Sequence, residues 1–145
     1  MDSRRNTAAS YSPKAPRTLR ILVVDDDRDF VLTLGTLLRQ DGHLVEEVYR
    51  AQDAMRAKRD FDPDVVLIDI ALPDGSGYAV AEQIRRHAGA QRPMLIALTG
   101  IYKRPPHDQL SQIVGCDHFL TKPFEIDQLL QLIAPLTLES GPAPR

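Results

Sequence analysis

Side chains with complementary chemistry stand at the ends of apolar runs along this 145-residue chain. Asp25, Asp26 and Asp27 follow "ILVV", with Asp29 two positions later; Asp69 follows "DVVLI"; Thr99 and Gly100 follow "PMLIAL"; Lys122 and Pro123 follow "HFLT". Crowded like charges are costly to keep ionised, so either the acids are simply solvated or a cation sits among them. Carboxylates with no neutralising base nearby suit a hard cation, and Mg2+ tolerates a site completed by water and phosphate. An aspartate is a poor nucleophile toward a phosphoryl group unless the incoming negative charge is neutralised and aligned. A divalent cation and the Lys122 ammonium would supply that neutralisation. The Thr99 hydroxyl would donate a hydrogen bond, and Gly100 would leave room for phosphoryl oxygens to approach the backbone. Taken singly, each residue has a plainer role: Asp27 as a helix cap, Asp29 as a solvated acid, Thr99 as a strand end and Lys122 as a surface cation.

The set acts together only if the fold brings these chain positions to one place. From Leu19 onward short apolar runs alternate with amphipathic ones, the pattern of a βαβα chain that builds a parallel sheet covered on both faces. The strands are "LRILVVD" (19–25), "HLVEEV" (43–48), "DVVLID" (64–69), "PMLIALT" (93–99) and "HFLT" (118–121). The first, third and fourth are almost continuously apolar and so buried on both faces, whereas the second alternates and belongs at an edge. Helices are expected after Asp27, ending before Gly42; over 51–59; after "PDGSG", with Ser76 as N-cap; from Pro105 and Pro106 to about Val114; and after Pro123, on the stripe Ile126, Leu129, Leu130 and Ile133. Five strands and five helices in alternation give a doubly wound α/β sheet, in which ligands bind beyond the carboxyl ends of the strands. Those ends are where the acids, the threonine and the lysine stand.

Length and composition allow one domain with a real core, and 43% hydrophobic with 26% charged residues is ordinary for a globular protein. The first 18 residues carry Arg4, Arg5, Lys14 and Arg17 against Asp2, while the rest has an acidic excess. The body is therefore a poor nucleic-acid binder, and the polar Ser/Ala/Pro/Arg tail reads as disordered. Residues 1–18 are read as tail, 19–137 as the folded domain and 138–145 as a flexible end. One cysteine, Cys116, fits a reducing compartment, and no run approaches the roughly 20 apolar residues of a membrane span. The reading is cytoplasmic, with no membrane partner. The histidines at 43, 87, 107 and 118 are too dispersed to form a metal site.

The stretches "VVDDD" (23–27), "LIDIALPDGSG" (67–77), "ALTG" (97–100) and "FLTKPF" (119–124) closely resemble the motifs of the response-regulator receiver domain, the phospho-acceptor module of two-component signalling. Their order agrees with that family, as do the separations of 43 residues from Asp26 to Asp69, 30 on to Thr99 and 23 on to Lys122. The resemblance covers residues 19–137 and implies a flavodoxin-like receiver fold with strand order 2-1-3-4-5, an order for which a receiver protein is a standing example. It implies that Asp69 accepts the phosphoryl group and that Mg2+ is held by Asp25, Asp26, Asp69 and the backbone carbonyl of Ala71. Lys122 would contact phosphoryl oxygens, Thr99 and Phe119 would form the switch pair, and the bond to Pro123 would be cis. It also implies a histidine kinase or histidine phosphotransfer protein as donor. Output would pass to a protein partner through the face of the fourth helix, fifth strand and fifth helix.

Such a module is a switch rather than an enzyme. A phosphohydrolase of the haloacid-dehalogenase kind would need a second aspartate two positions after the nucleophile, where Ala71 stands. A flavodoxin would place its phosphate loop where three aspartates would repel the phosphate. Ala71 and Ile101 occupy positions that in receivers influence attack of water on the phospho-aspartate, and neither side chain can hydrogen-bond a water, which implies a long-lived phosphorylated state. "YKRPPHD", the entry to the fourth helix, is a candidate for partner specificity. The sequence leaves open a stand-alone regulator, a relay intermediate and the receiver of a hybrid histidine kinase.

Overall fold

Three strand sequences are apolar without alternation because helices cover both faces of the sheet they build. The structure, a computed structural model, describes residues 17–72, 77–87, 93–100 and 115–138. Strands β1 (Arg20–Val24), β2 (Leu44–Val48), β3 (Val65–Asp69), β4 (Met94–Gly100) and β5 (His118–Lys122) form one parallel sheet in the order β2-β1-β3-β4-β5. This is the expected strand set and order, with β2 at an edge. Helix α1 (Arg28–Gln40) follows β1, α2 (Ala54–Phe61) follows β2, α3 (Gly77–Arg86) follows β3 and α4 (Ile126–Thr137) follows β5. The helix expected from Pro105 to Val114, the Ser76 cap, Ile101 and "YKRPPHD" lie outside the described residues.

The pleat divides each central strand between two cores. Ile21, Val23, Val65, Leu67, Ile96 and Leu98 pack with Val31, Leu34, Leu38, Leu129 and Ile133 beneath α1 and α4. Their alternates Leu22, Val24, Val66, Ile68 and Leu95 pack with Ala54, Val80, Ala81 and Ile84 beneath α2 and α3. In edge strand β2 only Val48 is buried, consistent with its alternating sequence.

Local signals fix the element ends. Asp27 accepts the Phe30 N–H at 3.1 Å and so caps α1, while Gly42 takes a left-handed φ of +95° beyond its far end. The segment expected as a helix over 51–59 opens instead as a 3-10 turn, Ala51–Asp53, and continues as α2 to Phe61. It ends where Asp62 turns left-handed and gives its N–H to Lys58, ahead of Pro63. Glu125 and Gln128 form a reciprocal capping box at the start of α4.

Arg17, assigned to the tail by composition, is held to the body. Its backbone N–H donates to Thr137 O at 2.7 Å and its guanidinium to Leu136 O at 3.4 Å, so it satisfies carbonyls at the end of α4. The same guanidinium donates to the buried Asp64 at 2.6 Å. Tail-like composition hides this because the partners are distant in sequence. Arg17→Ala is expected to lower stability by about 1.5–3 kcal/mol, the range for hydrogen bonds to charged groups. Urea titration checks it through a lower midpoint at unchanged slope.

Candidate functional site

The sheet carries the acids to its carboxyl rim. Asp25 continues β1 by donating its N–H to Val48 O at 3.0 Å, and Asp69 is the last residue of β3. Both continue the pleat phase of the residues facing α1. Asp25 is fully buried and Asp69 is 6% exposed, whereas Asp26 lies open to solvent. One carboxylate oxygen from each of Asp25, Asp26 and Asp69 falls in a group within 4.8 Å of one another. Three hard oxygen donors this close fit a divalent cation of the Mg2+ type, because the mutual repulsion they suffer alone becomes shared attraction to the ion. The two remaining acids of the opening run behave differently: Asp27 caps α1, and Asp29 is exposed in its first turn.

Backbone donors orient the buried carboxylates. Asp27 N–H donates to Asp25 Oδ1 at 3.0 Å, and Ala71 N–H donates to Asp69 Oδ1 at 2.8 Å. Asp69 Oδ2 is left facing the Lys122 ammonium at 3.7 Å, while that ammonium donates to Asp25 Oδ2 at 2.6 Å. β4 and β5 place Thr99 beside Thr121 and Gly100 beside Lys122, and Thr99 is buried. The Lys122–Pro123 peptide bond is cis. Phe119 is half-buried on the other side of β5, packed with Ile70 and Ala97. The structure thus brings Asp25, Asp26, Asp69 and Lys122 into one cluster, with Ala71 bonded to Asp69 at its edge, while Thr99, near the end of β4, shares the pleat phase of Ala97, on which Phe119 packs.

Burial pushes the Asp25 carboxyl above its ordinary value, against the opposing pull of the Lys122 ammonium and the Asp27 N–H. A carboxyl raised in the folded state contributes stability that is fully present below its unfolded value, about pH 4, and lost as pH rises through the folded one. Ionising Asp25 therefore costs the metal-free fold stability as the pH rises. Asp25→Asn is expected to raise the melting temperature of the metal-free protein at pH 7 by a few degrees, and to abolish any further rise on adding Mg2+. Scanning fluorimetry with Mg2+ or a chelator checks both; an unchanged Mg2+ response would contradict the expectation.

Two features escaped the sequence. Gly77 packs the start of α3 directly on the backbone of the Asp69–Ile70 step, where a Cβ would lie 2.4 Å from Asp69 O. The Phe30 ring lies beneath the Lys122 ammonium. Buried His43 accepts the Leu19 N–H through Nδ1 at 3.1 Å, with Asp41 at 3.2 Å from Nε2. Burial pushes the Cys116 thiol up to about 12, a small inert side chain ahead of β5. Among the described residues no helix is long and apolar enough to cross a membrane.

A doubly wound parallel sheet with an acidic cluster and a lysine on its carboxyl rim defines a class, and known proteins narrow it. The profile of the response regulator receiver domain matches residues 21–134, and the chain belongs to that family. The chain is 34% identical over 124 residues to the transcriptional regulatory protein DltR of Streptococcus agalactiae, covering 85% of this chain and 54% of that protein. It is 31% identical over 128 residues to the transcriptional regulatory protein TcrA of Mycobacterium tuberculosis, covering 88% and 49%. The chain thus spans about half the length of these curated relatives. Protein PilG of Pseudomonas aeruginosa is 30% identical over 118 residues, covering 79% of this chain and 84% of PilG. The crystal structure of a receiver domain from Bermanella marisrubri superposes with a TM-score of 0.69 at 31% identity, covering 81% of this chain and 96% of that one.

Proposed function

We propose that the protein is a phospho-acceptor switch in which Asp69 receives a phosphoryl group from a histidine-containing donor. The observation that carries this is the Asp69 carboxylate itself: buried, turned by the Ala71 N–H at 2.8 Å, and 3.7 Å from the Lys122 ammonium. A lone pair on an Asp69 oxygen forms the new O–P bond as the donor's P–N bond breaks. The electron pair stays on the imidazole nitrogen, which takes a proton from water. Lys122 shifts from Asp25 toward the phosphoryl oxygens and offsets their charge. Asp25, Asp26, Asp69 and the Ala71 carbonyl would hold Mg2+, which when bound supplies two positive charges beside the reacting oxygens.

Thr99 then donates its hydroxyl to the phosphoryl group, and Phe119, half-buried beside Ile70 and Ala97, follows inward, so that the face including β5 and α4 reports the state to a protein partner. A histidine kinase or histidine phosphotransfer protein is the donor that the two-component family implies. The methyl side chain of Ala71 gives an attacking water no hydrogen bond, which favours a long-lived phosphorylated state. The cytoplasm is the compartment where such a donor and switch would meet. Incubation with Mg2+ and acetyl phosphate tests the reading by intact mass. A gain of one phosphoryl group, abolished by a chelator and by Asp69→Asn, is expected; no gain in wild type would overturn it.

A further inference from the structure

We propose that Phe30 is a positioning residue for Lys122, its ring face forming an uncharged seat for the ammonium between Asp25 and Asp69. The proposal rests on the phospho-acceptor reading and adds a residue from a different element. Lys122 Nζ lies 4.3 Å from the Phe30 ring centroid while it touches Asp25 Oδ2 at 2.6 Å and faces Asp69 Oδ2 at 3.7 Å. The ring is itself held. Phe124, two residues after Lys122, meets it edge to face, with centroids 6.0 Å apart and planes at 80°. Phe30 from α1, Lys122 from the end of β5 and Phe124 beyond the cis bond thus form one clamp.

The seat resolves a conflict in the site. The ammonium's strongest partner is Asp25, yet Asp25 must give its oxygens to a cation and Lys122 must reach phosphoryl oxygens on Asp69. A second carboxylate would hold the ammonium as tightly as Asp25 does. An aromatic face attracts it electrostatically but offers no localised lone pair, so the ammonium can slide from Asp25 toward Asp69 without losing its support. Packing alone does not demand an aromatic ring here. Phe30 is half-buried and borders a cavity of about 420 Å³ that Leu34, Phe124 and Ile126 also line.

The test uses the full chain with Mg2+ and acetyl phosphate, whose P–O bond breaks to release acetate. Phenylalanines carrying increasing numbers of ring fluorines at position 30 keep the shape and drain charge from the ring face. The phosphorylation rate constant is expected to fall stepwise with fluorine count, by about tenfold in all. Phe30→Leu should match the bottom of the series and Phe30→Tyr should stay near wild type, with similar melting temperatures throughout. In a Lys122→Met background the series should be flat. An activity-free readout accompanies it: the Lys122 methylene next to the ammonium should show an upfield ring-current shift by NMR that Phe30→Leu removes. A wild type that takes up the phosphoryl group with a flat fluorine series, a series that survives Lys122→Met, or an absent ring-current shift overturns the seat alone. A wild type that takes up no phosphoryl group overturns the functional reading, and the seat's role in transfer with it.

Discussion

Gly77→Ala is expected to destabilise the protein by about 3 kcal/mol, a penalty at the upper end for forcing extra atoms into packed structure. The added Cβ would lie 2.4 Å from Asp69 O, 2.6 Å from Ile70 Cα and 2.9 Å from Ile70 C. All three are backbone atoms, so no side-chain rotation relieves the contact. Either α3 moves away from β3, opening the core around Val80, Ala81 and Ile84, or the Asp69–Ile70 step moves and takes the acceptor carboxylate with it. Both routes lower the melting temperature, and the second also slows phosphorylation. Gly100→Ala provides the contrast for stability, since its Cβ would meet nothing within 4 Å. Thermal unfolding of the two variants side by side checks the prediction.

Lys122→Met is expected to slow phosphorylation of Asp69 by about a hundredfold while tightening Mg2+ binding. The first effect follows from removing a preorganised charge beside the reacting oxygens, where loss of one donor costs two to three orders of magnitude. The second follows from competition. The ammonium occupies Asp25 Oδ2 at 2.6 Å, and a cation that uses Asp25 must displace it. Methionine keeps the unbranched stem but brings no charge. In the metal-free protein the same substitution leaves the fully buried Asp25 without its counter-charge, so the melting temperature should fall and then recover on adding Mg2+. Stopped-flow phosphorylation and calorimetric Mg2+ titration separate the two effects; a variant that lost both rate and Mg2+ affinity would show that Lys122 supports the carboxylates rather than competing for one of them.

These expectations draw on parts of the molecule that the sequence revealed unequally. The strands were legible because burial on both faces leaves a near-continuous apolar run, and β2 was legible as an edge because its outer positions alternate. Asp27 was recognisable as a cap from its place at the start of α1, which separates it from the other two consecutive aspartates. The strand-end rule then gathered Asp25, Asp26, Asp69 and Lys122, which do meet. What stayed hidden depends on approach in space between elements far apart in the chain. The packing role of Gly77 was hidden because nothing local says that α3 will be pressed on the Asp69–Ile70 backbone. The meeting of Phe30 with Lys122 was hidden because helical periodicity cannot show which cation a ring face meets. Arg17 read as tail because its partners, Asp64 and the end of α4, share no local pattern with it.

Among several acids on one rim, Asp69 is the residue proposed to become an acyl phosphate. Reduction of the acetyl-phosphate-treated protein with borohydride converts an aspartyl phosphate to homoserine, and peptide sequencing by mass spectrometry then reads its position. Homoserine is expected at position 69, dependent on Mg2+ and absent in Asp69→Asn. Homoserine at position 25 or 26 in place of 69, or none in protein shown to carry the phosphoryl group, would contradict it.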